Sequence, residues 1–207
     1  QIKKILGLVT NKVYDKKEIK TLRYGKVIFM TDQDLDGSHI KGLCINLFHS
    51  QWGDLFKANK FIGFMNTPIL KATKGKRVLN FYNESKYKEW KNANNNGKGW
   101  TVKYYKGLGT STSKEFKEYF KNKRLITFSY NGNTSDDAID KVFNKERADD
   151  RKGWLEKYDR DKVLETNKNQ IPYEDFVDKE MIHFSKYDCE RSIPVSYTHL
   201  TLPTRAV

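Results

Sequence analysis

Residues 26–42 read KVIFMTDQDLDGSHIKG, and the order of residue types in this stretch predicts a strand, an acidic turn and a helix. The segment KVIFM at 26–30 is short, apolar and rich in β-branched and aromatic residues, as a buried strand is. Either Asp36 or Ser38 is expected to cap the N-terminus of the helix. The predicted apolar face of that helix follows the spacing i, i+3, i+4, i+7, i+8 and consists of Ile40, Leu43, Cys44, Leu47 and Phe48.

Three carboxylates alternate along the turn, at Asp32, Asp34 and Asp36. Carboxylates this close repel one another, so such a cluster indicates a bound cation. The purely structural interpretation is a solvated acidic turn that interacts with the dipole of the following helix. Three acids in a chain whose net charge is +13 favour the cation over that interpretation.

Three kinds of chemistry could use an acidic turn of this type. An EF-hand loop counted from Asp32 requires a bidentate glutamate at its twelfth position, where this sequence has Leu43, and it follows a helix rather than a strand. An aspartate that accepts a phosphoryl group would need a partner Lys or Ser/Thr motif, and none stands out. The favoured hypothesis is a Mg²⁺ site at the carboxyl end of the strand that acts on phosphodiesters.

Composition sets broader limits. The chain has 207 residues, of which 37% are hydrophobic and 14% aromatic, enough for the core of one large domain. Its net charge of +13 predicts an anionic partner, most commonly nucleic acid, although a general lysine bias explains the charge equally well. No apolar stretch approaches the length needed to span a membrane, so no membrane partner is expected.

Periodicity predicts the remaining elements. A helical start is expected within residues 1–24, and the polar, glycine-bearing stretch 92–99 is expected to be a loop. Alternation of strands and helices predicts a parallel α/β sheet in the first two thirds and a mostly helical remainder. Trp100, Tyr104, Tyr105 and Trp154 are expected in the core. The other predicted strands are 61–70, 78–82 and 100–105, and the other predicted helices are 85–91, 113–122, 136–143, 146–157 and 173–185.

The segment VIFMTDQDLDGSHIKGL at 27–43 closely resembles the TOPRIM domain of eukaryotic type II DNA topoisomerases. The resemblance covers residues 1–194 and is specific, because many separated motifs occur in the same order. They are LRYG (22–25), FMNTPILK (64–71), KYYKGLGTS (103–111), RADDRKGWL (147–155) and RSIP (191–194).

This resemblance implies an α/β fold: a TOPRIM-like Rossmannoid sheet that lacks its first strand here, followed by a mainly helical segment. The expected divisions are the C-terminal part of a TOPRIM domain at 1–145 and, at 146–194, a helical lead-in to a winged-helix DNA-cleavage domain. Residues 195–207 (VSYTHLTLPTRAV) resemble no part of the family and are expected to be an artefactual tail. The chain opens QIKKILG without an initiator methionine, so a piece of a longer protein is expected.

The function implied by the resemblance belongs to the DNA cleavage and religation core of an ATP-dependent type II DNA topoisomerase, an isomerase. Its partner would be double-stranded DNA, its parent enzyme a homodimer and its location the nucleus. ATP would be bound by a domain that is not present here. The family's catalytic glutamate would lie upstream and its arginine–tyrosine pair downstream, so no complete catalytic set is expected in this chain and the fragment alone is expected to be inactive.

The resemblance also implies roles for individual residues. The three aspartates of the turn would be carboxylates for Mg²⁺, with Mn²⁺ or Ca²⁺ able to substitute. A lysine and two glycines of the YKGLG motif would approach the DNA backbone. His39 and Lys41 would lie near DNA beside the metal loop, although a histidine in this position is more often a capping or packing residue. The complete set implied is Asp32, Asp34 and Asp36 for the metal, and His39, Lys41, Lys106, Gly107 and Gly109 for DNA.

Two other functions remain open at this level. Another TOPRIM nuclease or a primase-like phosphodiester enzyme shares the acidic turn but has no need of the YKGLGTS and ADDRK motifs. A non-catalytic, basic DNA-binding module explains the charge but leaves three aligned acids unexplained. Without the family resemblance, Lys106 would be interpreted as a solvated lysine in a tight turn.

Overall fold

The structure is a computed structural model that describes residues 1–10 and 12–192, so the predicted tail at 195–207 lies outside the described residues. The strands are β1 (Val27–Phe29), β2 (Ile62–Met65), β3 (Leu70–Lys74), β4 (Arg77–Phe81), β5 (Thr101–Tyr104), β6 (Leu125–Ser129) and β7 (Gln170–Pro172). The α-helices are α1 (Ile2–Leu6), α2 (Leu35–Gln51), α3 (Gly53–Lys57), α4 (Glu84–Ala93), α5 (Ser113–Lys121), α6 (Asn133–Phe143), α7 (Ala148–Glu156), α8 (Tyr173–Phe176) and α9 (Ile182–Ser192).

The larger sheet has the strand order β1-β2-β6-β7, and it is mixed rather than parallel. Strands β1 and β2 run parallel, joined by helices α2 and α3, and β6 and β7 also run parallel. Between these pairs, β2 and β6 are antiparallel. The α/β class is confirmed, whereas the expected all-parallel arrangement is wrong. Alternation predicts a parallel pair only across a short crossover, and a second sheet intervenes between β2 and β6.

A second, three-stranded sheet in the order β4-β3-β5 is entirely antiparallel. The single strand predicted at 61–70 is divided between the two sheets, because the segment around Pro68 separates β2 from β3. Gly75, at φ +58°, forms the tight turn of the β3–β4 hairpin. The strands predicted at 78–82 and 100–105 correspond to β4 and β5.

Residues on both sides of the boundary predicted at 145 share one sheet and one core. Strand β7 pairs with β6, with Phe128 opposite Ile171. Tyr173 stacks on Phe128 at 4.9 Å and on Phe56 at 4.1 Å, and its hydroxyl donates to the Phe56 carbonyl at 3.0 Å. The helical segment that follows residue 146 therefore packs directly onto the sheet. Strands β6 and β7 were not predicted from the sequence.

The buried residues of helix α2 overlap the predicted face only at Phe48, which is 1% exposed. Ile40 and Leu43 are 50% and 47% exposed. Instead the helix packs through small residues, and a side chain at Gly42 would come within 2.7 Å of the Met181 sulfur. This close approach selects the buried face, which consists of Gly37, Ser38, Lys41, Gly42, Ile45 and Phe48.

The four aromatic residues that were predicted in the core differ in burial. Tyr105 and Trp154 are buried, as predicted. Trp100 is half-buried and packs edge-on against Trp90. Tyr104 is 49% exposed, so its prediction as a core residue is wrong. It belongs to β5, an edge strand of the three-stranded sheet whose face is partly open to solvent.

The helical start predicted within residues 1–24 corresponds to the short helix α1. Helix α1 ends at Gly7, which adopts the left-handed conformation at φ 71°, and only a short 3₁₀ turn at Glu18–Thr21 follows before β1. The polar stretch 92–99 contains a 3₁₀ turn at Asn95–Gly97. None of the helices in the described ranges is long and apolar enough to cross a membrane.

Candidate functional site

The acidic turn lies at the carboxyl edge of the parallel pair formed by β1 and β2. Residues 31–34 follow β1, and Asn66 and Thr67 follow β2. The Gln33 amide donates to the Thr67 hydroxyl at 3.2 Å and links the two strand ends. The carboxyl edge of parallel strands is where ligands bind in open α/β sheets.

Two buried polar atoms at this edge have no hydrogen-bond partner among the described residues. They are the Thr31 hydroxyl and the side-chain amide nitrogen (Nδ2) of Asn66. Buried polar groups are normally satisfied, and an exception calls for an explanation such as a water molecule or an ion. The unsatisfied atoms therefore mark this strand edge as a place where a polar ligand would be stabilised.

Asp34, rather than Asp36 or Ser38, caps helix α2. Its Oδ1 accepts a hydrogen bond from the Gly37 amide at 2.7 Å. Gly37 is required by close approach, because a Cβ atom there would lie 2.0 Å from the Asp32 carbonyl oxygen. The first turn of α2 therefore packs closely against the backbone of the acidic turn.

Asp32 is held by the YKGLG loop, 76 positions further along the chain. The Leu108 amide donates to Asp32 Oδ1 at 2.6 Å. Gly107 lies so close that an added Cβ would come within 3.0 Å of Asp32 Oδ2. Lys106 and Gly109 are exposed on the same loop. The structure therefore brings two separated family motifs, DQDLDG and YKGLG, into one site.

Glu115 anchors this loop and was not identified from the sequence. It is 9% exposed and forms a capping box with Thr112 at the start of α5. Burial by itself would raise the pKa of Glu115, but hydrogen bonds from Lys103, from the Thr112 amide and from Tyr105 outweigh it and hold the pKa well below its usual range. The spacing T-x-x-E at 112–115 is the sequence signal that could have revealed this residue.

Unlike the carboxylates of Asp32 and Asp34, the Asp36 carboxylate accepts no hydrogen bond among the described residues. It is exposed on the first turn of α2. The hydrogen bond that Arg191 of α9 donates to Asp188 raises the pKa of Arg191, and the negative charge of Asp36 adds to that effect. Within residues 1–10 and 12–192, no group of three or more His, Cys, Asp or Glu side chains is arranged to hold a metal ion. The three aspartates therefore do not form a single chelating cluster here.

Lys41 and His39 make contacts within the protein. Lys41 is 2% exposed, forms an ion pair with Glu180 and lies over the Phe64 ring at 4.6 Å. His39 stacks on Phe184 of α9 with the ring centroids 4.1 Å apart. These positions do not support the predicted approach of either side chain to DNA, and they give both residues a role in packing α2.

The carboxylate oxygens of Asp32 and Asp34 that accept no hydrogen bond are suitable ligands for a hard cation. Asp32 and Asp34 each use Oδ1 for a backbone amide, and among the described residues Oδ2 of each accepts no hydrogen bond. Mg²⁺ is commonly bound by one or two carboxylates together with water and substrate phosphate oxygens. Two free carboxylate oxygens beside an exposed lysine fit that mode of binding better than a site made only of protein ligands.

The chain is similar to curated eukaryotic enzymes over almost all of its length. It is 47% identical to DNA topoisomerase 2 of Plasmodium falciparum (isolate K1 / Thailand) over 195 residues, which cover 92% of this chain and 14% of that protein. It is 48% identical to DNA topoisomerase 2-alpha of Rattus norvegicus, covering 92% of this chain and 13% of that protein. The chain thus spans about one seventh of the length of these relatives.

A solved structure has the same fold. The crystal structure of the Plasmodium falciparum topoisomerase II DNA-binding, cleavage and re-ligation domain aligns with a TM-score of 0.87 at 45% identity. The alignment covers 93% of this chain and 26% of that one. Residues 65–189, more than half of the chain, match the family described as the C-terminal associated domain of TOPRIM. The chain therefore belongs to the family of the C-terminal associated domain of TOPRIM.

Proposed function

We propose that this chain is part of the DNA cleavage and religation core of a type II DNA topoisomerase. The single observation that carries the proposal is the hydrogen bond between Asp32 and the Leu108 amide, because it joins the acidic turn to the YKGLG loop in one site. A nuclease or primase-like protein that shared only the acidic turn would have no need of this loop. The similarity over 92% of the chain to proteins named DNA topoisomerase 2 supports the same function.

The proposed partner is double-stranded DNA, in a homodimeric, ATP-hydrolysing parent enzyme located in the nucleus. Exposed Lys106 supplies positive charge beside the acidic turn, and the exposed backbone at Gly109 permits a close approach to phosphate. The chain's net charge of +13 favours association with a polyanion. We do not extend the DNA contact to Lys41, because its ammonium is buried against Glu180.

The proposed cofactor is Mg²⁺, held by Asp32 and Asp34 together with oxygens of the DNA phosphate. Bound Mg²⁺ supplies charge stabilisation at the scissile phosphate during transesterification. The chain's own contribution is to fix the two carboxylates. Asp34 is fixed by the first turn of α2, and Asp32 is fixed by the Leu108 amide. Asp36 has no backbone amide that fixes it in this way, and it would act on a metal only through water.

The test is Asp34→Asn in the complete gene product. Asparagine caps a helix about as well as aspartate, so the turn should keep its shape while the negative charge is lost. We expect Mg²⁺-dependent DNA cleavage to be abolished while DNA binding is unchanged or tighter. Retention of Mg²⁺-dependent cleavage in the variant would refute the assigned role of this carboxylate.

Asp36→Asn is the matched control, since it removes the same charge from the same turn but from an exposed side chain that accepts no backbone amide among the described residues. A much smaller loss is expected for Asp36→Asn than for Asp34→Asn. Should the wild-type gene product bind DNA without any cleavage at any Mg²⁺ concentration, a non-catalytic DNA-binding module becomes the better interpretation.

A further inference from the structure

Both ends of the loop at residues 106–111 are attached to a single carboxylate. Before the loop, the Tyr105 hydroxyl donates to Glu115 Oε1 at 2.5 Å. After it, the Thr112 amide and hydroxyl approach Glu115 Oε2 at 2.8 and 3.0 Å. Lys103 on β5 donates to the same oxygen at 2.8 Å. The Glu115 carboxylate on helix α5 therefore holds the two ends of the loop together. The clasp is this carboxylate with its partners Lys103, Tyr105 and Thr112.

The segment between these anchors is short and internally bonded. It contains a 3₁₀ turn at Leu108–Thr110, in which the Thr110 hydroxyl donates to the Gly107 carbonyl at 2.6 Å. The Ser111 amide donates to the Leu108 carbonyl at 3.1 Å. The Leu108 amide is left pointing out of the turn and reaches Asp32. The direction of this amide thus depends on how the two ends of the loop are held.

The charges around Glu115 favour the ionised form of its carboxylate. Glu115 is nearly buried, and two ammonium groups compensate its charge, Lys103 at 2.8 Å and Lys71 at 3.5 Å. Lys71 and Lys103 lie opposite each other on neighbouring strands β3 and β5. The three-stranded sheet therefore supplies the charge that keeps Glu115 in place, and Glu115 in turn attaches the loop to that sheet.

We propose that Glu115 is a positioning residue for the acidic turn: by clasping the loop 106–111 it holds the Leu108 amide against Asp32 and fixes the direction of that carboxylate. The consequence for catalysis rests on the proposed function, whereas the geometric effect on the loop does not. Groups that orient a metal ligand from outside its coordination sphere are worth about 10–100-fold in metal affinity.

The geometric arm of the test is hydrogen exchange on the complete gene product, measured on peptides that contain the Leu108 amide. Glu115→Gln keeps the side-chain volume but loses the charge that binds Lys103 and Lys71. We expect exchange at Leu108 to become roughly tenfold faster, the factor that corresponds to the loss of one good hydrogen bond. Asp32→Asn should accelerate exchange of the same amide, because it weakens the same contact from the other side.

Two further variants separate this effect from general loss of stability. Tyr105→Phe removes one donor to Glu115 and preserves the packing of the ring, so it tests the clasp even if Glu115→Gln does not fold. Glu174→Gln is the matched control. Glu174 also accepts two side-chain hydrogen bonds, from Asn131 at 2.6 Å and Ser135 at 2.9 Å, but it lies on α8, away from the loop. It should leave exchange at Leu108 unchanged.

The catalytic arm is the Mg²⁺ concentration that half-saturates DNA cleavage. Glu115→Gln should raise it by about tenfold or more, with little change in KM for DNA. Unchanged Leu108 exchange in folded Glu115→Gln and Tyr105→Phe proteins would overturn the proposal. Equal acceleration by Glu174→Gln would overturn it as well. If exchange accelerates as expected but the wild type shows no Mg²⁺-dependent cleavage, the clasp stands and the proposed function fails.

Discussion

Lys41 of the DGSHIKG motif and Glu180 form an ion pair beneath the acidic turn, although 139 positions separate them in the sequence. Ser38, one helical turn earlier, donates to the same Glu180 oxygen at 2.6 Å and to the Asp34 carbonyl at 3.1 Å. Glu180 belongs to a π-helical turn at Val177–Met181, directly before α9. The start of α2 is therefore fixed to the C-terminal helices by Lys41, which the resemblance assigned to DNA, and by Ser38, which was predicted as a helix cap.

This pair predicts a large loss of stability for Glu180→Gln. The Lys41 side chain is 3% exposed, so the variant would leave an ammonium buried without a carboxylate. Breaking a buried pair in this way costs about 3–5 kcal/mol of the free energy of unfolding. Urea denaturation measures the loss. A cost comparable to that of an ordinary surface substitution would show that the pair is not a structural element.

Lys41→Met makes a complementary prediction about DNA. If Lys41 contacts no phosphate, the salt dependence of DNA binding should be the same in Lys41→Met as in the wild type. The measurement is the slope of the logarithm of the binding constant against the logarithm of the salt concentration. A reduction of that slope by about one would restore the original assignment of Lys41 to DNA.

Lys106→Ala, unlike Lys41→Met, should change the salt dependence of DNA binding. Its side chain is exposed, so the free energy of unfolding should change by no more than about 0.5 kcal/mol. Loss of one phosphate contact should lower the salt slope by about 0.9 and weaken binding to all DNA sequences alike. The same titrations that examine Lys41→Met serve here. A normal slope would mean that Lys106 is only a solvated lysine in a tight turn.

Asp34 has two roles that substitutions can separate. Asp34→Ala removes the cap of α2 as well as the charge, so it should cost about 0.5–2 kcal/mol in the free energy of unfolding. Asp34→Asn should cost little, because its side-chain oxygen can still accept from the Gly37 amide. Thermal or urea unfolding of the two variants provides the comparison. Equal stability of both would show that the cap contributes nothing.

Gly37→Ala should disrupt the acidic turn. The added Cβ would lie 2.0 Å from the Asp32 carbonyl oxygen, so the backbone has to move. Gly153→Ala is the control, since a Cβ there meets nothing within 4 Å in the interior of α7 and should stabilise by about 1 kcal/mol. The two substitutions should therefore shift Tm in opposite directions. A stabilised Gly37→Ala protein would contradict the geometry of the turn.

The ionised Glu115 carboxylate should make the free energy of unfolding depend on pH. Its pKa in the folded protein is lowered below the usual 4.5, so its contribution to stability is fully present above that value and is lost as the pH falls through the lowered pKa. The difference in free energy of unfolding between the wild type and Glu115→Gln should therefore be larger at pH 7 than at pH 3. Urea unfolding at both pH values measures it. An equal or larger difference at pH 3 would contradict the ionised clasp.

The sequence by itself determined the local features of this protein. The run 26–30, the acids after it and the helix that follows could be predicted because each depends on neighbours within one or two turns of chain. The ordered family motifs predicted the similarity of this chain to DNA topoisomerase 2 proteins. Even so, the choice of Asp34 over Asp36 as the cap depended on the close approach of Gly37 to the Asp32 carbonyl oxygen.

The tertiary structure alone decided which distant residues form the site. Hydrophobic periodicity predicts the type of an element but neither its partner nor the direction of its neighbouring strand, so β6 and β7 and their pairing were not predicted. In the same way, the exposed Ile40 and the buried Lys41 reverse the pattern expected from polarity, because only the folded chain brings Glu180 to the lysine. The contact between Asp32 and Leu108 spans 76 positions and uses a backbone amide, which no residue pattern encodes.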